Sequence, residues 1–235
     1  MGVEMRILII SDIHGNIYPL QKVLKTETYD FMICLGDLVD YGPFPDEVTS
    51  IIREKANYCV LGNHDYSFAF DDDCPGTTPE FRKITYEIRN YFKYRLSPEN
   101  IAFLRTLPLT KEVLIEGQSF LLFHSSAEDP LGDYVTFDQN PEIIKKRMLP
   151  DKPVNIILYG HTHQSGMLRI NNVTIFNPGS LGFPRGKDRY PSYAILENGQ
   201  FKIQYVEYDV SKIVSEYKKH SVPEEIIQKL IGVGI

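Results

Sequence analysis

Long apolar runs, cysteines at metal-ligand spacing and an excess of basic charge are all missing from this chain. No stretch of its 235 residues approaches the roughly 20 apolar residues that a bilayer-crossing helix requires, so a membrane-spanning role is not expected. The start, MGVEMRILIISD, has no basic leader, and its apolar run breaks at Ser11-Asp12, so no secretory leader is expected. The same start lacks the Ser or Thr of a myristoylation signal. Only three cysteines occur, Cys34, Cys59 and Cys74, an odd number with no ligand spacing. Cys34 and Cys59 fall in strand-like runs, where a thiol behaves as a small buried hydrophobe, and a reducing cytoplasm is the simplest setting. The net charge of −6 excludes the broad basic footprint of a general nucleic-acid binder. Repeats, low-complexity stretches and an interdomain linker are absent too, so residues 1–235 read as a single domain, whose 43% hydrophobic content is ordinary for a globular protein.

What is present is an alternation of strand and helix signals. Residues 6–10, 31–35 and 58–61 read as buried strands, separated by a helix over 18–26 and another opening at Pro45-Asp46. That order implies parallel pairing with right-handed crossovers. From about 66 to 109 the pattern becomes a helical insertion, with a loop at Asp71–Gly76, an apolar stripe through Phe81, Ile84, Ile88 and Phe92, and a helix start at Ser97-Pro98-Glu99. Short strands follow at 112–116, 119–123, 154–159, 166–170, 173–176, 192–196 and 201–207, and Asn171-Asn172 and Asn198-Gly199 read as hairpin turns. The tail, about 209–235, carries helical stripes through Val210, Ile213, Val214 and Tyr217 and then, behind a Ser221-x-x-Glu224 capping box, through Ile226, Ile227, Leu230 and Ile231. These stripes offer a surface for a homo-oligomer contact. The expected fold is α/β: a four-layer α/β/β/α sandwich of two packed mixed sheets with flanking helices.

Five of the six histidines lie in short motifs that follow these strands. The motifs are Asp12-Ile13-His14, Gly36-Asp37-Leu38-Val39-Asp40, Gly62-Asn63-His64-Asp65, His124, and Gly160-His161-Thr162-His163. Ligands at the carboxyl ends of consecutive strands of one sheet can converge on one point. Imidazole, carboxylate and amide oxygen without thiolate suit Mn, Fe, Co, Ni or Zn, and a two-ion centre acting on a phosphate ester is the chemistry that uses such a set. His220, in the tail without ligand companions, reads as a solvent-exposed bystander.

In order and spacing these motifs resemble the calcineurin-like metallophosphoesterases, and most of all the small prokaryotic phosphodiesterases, in which a segment like Asn177-Pro178-Gly179-Ser180 follows the last histidine pair. The resemblance covers about residues 6 to 207. It implies two divalent ions per chain, with manganese favoured, and a hydroxide between them as nucleophile. Asp12, His14, Asp37 and His163 would hold the first ion, and Asp37, Asn63, His124 and His161 the second, with Asp37 bridging. His64 would act as general acid. Asp40 would be its carboxylate partner, or else a surface or helix-capping carboxylate. The implied substrate is a small-molecule phosphodiester or a nucleotide.

The chain departs from the family's protein phosphatases, which read G-D-x-V-D-R-G: Tyr41 replaces the arginine that grips a phosphate monoester dianion, so a diester is the better match. A phosphomonoesterase or Ser/Thr protein phosphatase is the alternative. A scaffold that keeps the fold but binds partners is the non-enzyme alternative, and such a scaffold should lack some of the positions filled here. Substrate contacts are expected from Asn63 and His64. Arg185, in Phe183-Pro184-Arg185-Gly186, offers a substitute charge or is a loop arginine without a role. The basic residues of the insertion, Arg82, Lys83, Arg89, Lys93 and Arg95, fit either a solvated helix face or a lid over an anion.

Overall fold

Strand β1 (Ile7–Ile10) is apolar at every position because both of its faces are covered. Ile7 and Ile9 point at a second sheet, while Leu8 and Ile10 point at helices. The computed structural model describes residues 5–185 and 190–234. Met1–Glu4 of the leader reading and Gly186 beside the loop arginine lie outside the described residues, as does the side chain of Ile231.

After β1 come α1 (Ile17–Thr26), β2 (Phe31–Cys34), α2 (Pro45–Lys55) and the short β3 (Tyr58–Cys59). β1, β2 and β3 pair in parallel, with Ile7 opposite Phe31 and Ile33 opposite Tyr58. Next are α3 (Asn63–Phe70), α4 (Pro79–Phe92) and α5 (Pro98–Thr106). Thr78 and Ser97 cap α4 and α5 with their hydroxyls, each followed by a proline whose missing N–H costs nothing there. The chain continues through β4 (Thr110–Ile115), β5 (Gln118–Phe123), α6 (Pro141–Met148), β6 (Ile156–Leu158), β7 (Ser165–Ile170), β8 (Val173–Pro178), β9 (Ser192–Glu197), β10 (Gln200–Tyr205), α7 (Val210–Lys219) and α8 (Glu224–Gly234).

Two mixed five-stranded sheets result, in the orders β10-β9-β1-β2-β3 and β4-β5-β6-β8-β7. Ile7, Ile9, Ile33, Leu35 and Val60 of the first sheet meet Val113, Phe120, Leu122, Leu158 and Phe176 of the second. Each such side chain, fully buried, contributes about 1.5–3 kcal/mol. Leu20, Val23, Val48, Ile52 and Leu104 cover the outer face of the first sheet, and Ile144 and Met148 of α6 cover the second. The four-layer α/β/β/α sandwich is therefore the observed fold.

The structure changes several details. The turn at Glu116-Gly117 also closes a hairpin, β4 with β5, beside the two expected ones. The strand read over 58–61 pairs only at Tyr58 and Cys59, because the chain then turns into α3. Helices α3 and α6 add to the expected elements: α3 has no apolar stripe, whereas α6 does carry a legible start at Asn140-Pro141. The Ser221 capping box does not form, since Ser221 closes α7 in the left-handed region (φ +57°) and α8 begins at Glu224. The tail's apolar stripes are covered within the chain: Ile213, Tyr217, Ile226, Ile227 and Leu230 pack on Ile84, Ile88 and Phe92 of α4. His220 is half-buried rather than exposed, edge-on to Phe92. Among the described residues no helix is long and apolar enough to cross a membrane.

Candidate metal centre

The motif residues emerge where β1, β2 and β3 of the first sheet and β5 and β6 of the second end, so the two packed sheets together, rather than one sheet, supply the convergent groups. Asp12, His14, Asp37, His161 and His163 all adopt positive φ, between 48° and 64°, a region that costs a non-glycine residue energy. Interlocking backbone bonds hold these turns. His14 N donates to Asp37 O at 2.9 Å, Gly42 N to His14 O at 2.8 Å and Gly160 N to His124 O at 2.9 Å. Asp65, which the motif reading leaves without a role, belongs to this frame: its buried carboxylate accepts from the backbone N–H of Asp37, Leu38, Val39 and Gly62. Burial and the Asp37 charge push that carboxyl up to about 7, against the N–H donors. Its signal in the sequence is an acid three residues after the residue preceding the helix. Asn177 Nδ2 donates to Gly160 O at 2.7 Å and Ser180 Oγ to Asp12 O at 2.8 Å, so the Asn-Pro-Gly-Ser turn braces the histidine loop.

Two buried clusters form. Asp12, His14, Asp37 and His163 bring one ligand atom each within 4.8 Å of one another, and so do Asp37, His124 and His161. Asn63 joins the second, its Oδ1 lying 3.0 Å from His124 Nε2 and 3.1 Å from His161 Nδ1. The remaining amide group is fixed from behind, where Asn63 Nδ2 donates to Pro75 O at 2.8 Å and contacts Cys74 Sγ and Thr77 Oγ1.

The donor set fits divalent cations on its own evidence. His14 Nδ1 faces Val39 O, His124 Nδ1 faces Leu35 O and His163 Nδ1 faces Phe183 O, so each ring gives its Nδ1 proton to a carbonyl and turns Nε2 inward. His14 Nε2 and His163 Nε2 then stand 3.1 Å apart with no proton between them, an arrangement that a cation relieves. Burial lowers His14 to about 3, and burial with the nearby His124 lowers His161 to about 3, keeping both neutral and ligand-competent. His163 is lowered by burial and by Arg185. His124 is raised to about 9: burial opposes this, but Asp37 Oδ2 at 3.2 Å prevails. Asp12 is held at about 2 and Asp37 well below its ordinary value, because the surrounding imidazoles outweigh the cost of burial.

His64 belongs to neither cluster. Its Nδ1 lies 2.8 Å from Asp40 Oδ2 and its Nε2 3.3 Å from the Tyr41 hydroxyl. Burial disfavours a charged ring, but Cys74, Tyr41, Asp37 and the Asp40 hydrogen bond raise His64 well above its ordinary value. Asp40 is buried rather than a surface or helix-capping carboxylate. The ring of His64 opens on a cavity of about 410 Å³ whose wall includes Asp37, His161, His163, Phe81, Tyr134 and Arg185. Arg185 lies with its guanidinium carbon 4.9 Å above the Phe81 ring. Phe81 and Tyr134 carried no sequence signal for this position. A larger groove, about 660 Å³, sits near the hairpin turns at Gly117, Asn172 and Gly199, away from all of these groups.

Residues 5–200 match the calcineurin-like phosphoesterase superfamily domain. The chain belongs to that superfamily. A metallophosphoesterase from Sphaerobacter thermophilus superposes on this calcineurin-like phosphoesterase with a TM-score of 0.79 at 28% identity, covering 99% of this chain and 100% of that one. An uncharacterized protein of Methanocaldococcus jannaschii is 30% identical over 97% of this chain and 98% of its own length. The phosphodiesterase YfcE of Escherichia coli is 23% identical over 83% of this chain and 88% of its own. The calcineurin-like chain is thus a phosphoester hydrolase by family, and it carries two buried His/Asp clusters suited to divalent ions.

Proposed function

We propose that this calcineurin-like phosphoesterase hydrolyses small phosphodiesters or nucleotides. Asp12, His14, Asp37 and His163 would hold one divalent ion and Asp37, Asn63, His124 and His161 the other, with Asp37 shared. Two ions in these places would supply positive charge to the phosphoryl oxygens and acidify a water. The donor set admits Mn, Ni, Co, Fe or Zn, and Mn is favoured. The carrying observation is that His64 faces the same cavity as both clusters while its far nitrogen is tied to the Asp40 carboxylate. A ring so held presents Nε2 toward a leaving oxygen and can deliver a proton there. Asn63 and Arg185, together with His64, would contact the substrate. YfcE, a relative named as a phosphodiesterase, supports the diester reading. So does Tyr41, whose neutral hydroxyl meets His64 Nε2 and offers no fixed charge to a dianion. The three free cysteines fit a cytoplasmic setting.

One observation favours the monoester alternative: Arg185 lines the cavity and could pair with a second phosphoryl charge. The test is kcat/KM for bis(nitrophenyl) phosphate against nitrophenyl phosphate, in protein stripped with chelator and reloaded with Mn. The stripped protein should be inactive, and the reloaded protein should prefer the diester. A higher kcat/KM on the monoester would overturn the diester reading, and full activity without metal would overturn the mechanism.

A further inference from the structure

Arg89 lies on α4, next to Ile88 of the apolar stripe. A charged residue on the rim of such a helix normally reaches into water, as Lys83 does with 78% of its side chain exposed, yet the Arg89 side chain is only 11% exposed. It points inward to the G-D-x-x-D loop. Its Nε donates to Asp40 Oδ1 and a terminal nitrogen to Asp40 Oδ2, both at 2.6 Å. The other terminal nitrogen donates to Ser67 Oγ at 3.0 Å. The rings of Phe68 and Tyr86 lie within 5.4 and 5.7 Å of the guanidinium carbon. Arg89 is thereby anchored on α3 and α4 while it grips both oxygens of one carboxylate.

We infer that Arg89 is a positioning residue for His64, acting through Asp40. Asp40 and Tyr41 both hold left-handed backbone, at φ +67° and +56°, so the carboxylate projects from a turn that does not itself fix the plane of the side chain. A two-point fork fixes that plane, and a single point charge does not. Because Oδ2 takes both an Arg89 N–H and the His64 Nδ1 proton, the fork sets the direction of the His64 hydrogen bond, its tautomer and the aim of Nε2 into the cavity. Arg89 touches neither cluster and does not line the cavity, so its effect on turnover passes through His64. The inference rests on His64 acting as general acid.

Arg89→Lys keeps the cation and loses the fork. Arg89→Gln, whose amide donates to one oxygen only, is the second variant should the first fail to fold. Each is assayed on a nitrophenyl and an alkyl phosphodiester, alone and in a His64→Ala background, with metal content and Tm recorded. The expected result is a fall in kcat of about 10- to 100-fold on the alkyl diester, part of what a general acid contributes. Little should change on the nitrophenyl diester, whose leaving group departs without a proton, and KM and both ions should be retained. In the His64→Ala background the same change should cost nothing further. In histidine-labelled metal-free protein, the long-range 1H–15N spectrum should show the His64 Nδ1 proton in wild type and its shift or loss in Arg89→Lys. Equal losses on both diesters in Arg89→Lys, beside an alkyl-selective loss in His64→Ala, would overturn positioning and leave the general acid standing. Equal losses on both diesters in His64→Ala would overturn the general-acid reading and this inference with it.

Discussion

Replacing Gly62 by alanine isolates the close approach that holds Asp37 between the two clusters. Gly62 sits at φ −84°, ψ 165°, extended backbone that any residue adopts, so alanine there carries no conformational penalty. Space is the obstacle: a Cβ at Gly62 would stand 2.1 Å from Asp37 Oδ1 and 2.2 Å from Asp37 N. An ordinary contact needs about 3.5 Å, so Asp37 must retreat by roughly 1 Å or more, and overpacking of this kind costs about 1–3 kcal/mol. Gly199 is the matched control. It turns the last hairpin at φ +68°, and a Cβ there would meet nothing within 4 Å, so alanine at this position faces only backbone strain. That strain is about 1–2 kcal/mol.

For a chain of 235 residues, 1 kcal/mol moves Tm by about 2–4 °C, so both variants should melt a few degrees early and by overlapping amounts. They should part on metal. Gly199→Ala should bind two ions and turn over normally. Gly62→Ala should lose at least one ion on dialysis against limiting Mn, because Asp37 belongs to both clusters. Its kcat should fall by about 10² or more, the scale set by a misplacement of 1 Å. Thermal unfolding, elemental analysis of the dialysed protein and diester turnover measure all three. Two tightly held ions and wild-type turnover in Gly62→Ala would refute the claim that the Gly62 gap positions Asp37.

Two further outcomes follow from single residues. Asp37→Asn removes the carboxylate shared by both clusters, so elemental analysis should find fewer than two ions per chain along with lost activity; two ions and normal turnover would contradict the shared role. Asp46 accepts from Ser97 N and Asn100 Nδ2, both at 2.7 Å, tying α2 to α5, and these bonds hold its carboxyl below the ordinary value although burial opposes them. A depressed carboxyl stabilises the fold fully above its unfolded value of about 4 and loses that contribution as pH falls through the folded value. Asp46→Ala should therefore cost about 1–2 kcal/mol at pH 7, discounted for partial exposure, and progressively less toward pH 3. A cost that is constant in urea unfolding across that range would reject the ion-linked part of the argument.

The layers and the ligand types were legible because both are written in local pattern. Buried strands show as ILII and FMIC, and donor atoms show as residue identity at strand ends. What was not legible is tertiary. The left-handed backbone at Asp12, His14, Asp37, His161 and His163 is imposed by neighbouring turns; aspartate and histidine tolerate it better than most residues, but their identity does not mark which of them adopt it. Asp40 could be read either way until the structure put His64 on one side of it and Arg89, 49 positions away, on the other. The packing of the tail stripes on α4 was not legible either, because the α4 stripe lies more than a hundred residues earlier.

The segment between the third and fourth motifs is neither a purely solvated face nor a free lid. Its loop supplies Pro75 O, Cys74 Sγ and Thr77 Oγ1 to the Asn63 amide, which decides that Oδ1 rather than Nδ2 faces His124 and His161. Its helix supplies Arg89 to Asp40, and Phe81 to the cavity wall. Swinging α4 away as a rigid lid would break two charge-assisted bonds of about 1.5–3 kcal/mol each and leave Asp40 buried without its cation. It would also strip the α7 and α8 stripes of their cover. α4 therefore stays in place as part of the wall of the cavity, whose lining also includes Thr78, Tyr134 and Arg185. The same helix that closes the hydrophobic contact with the tail also carries the Arg89 fork onto Asp40, the carboxylate hydrogen-bonded to His64 Nδ1.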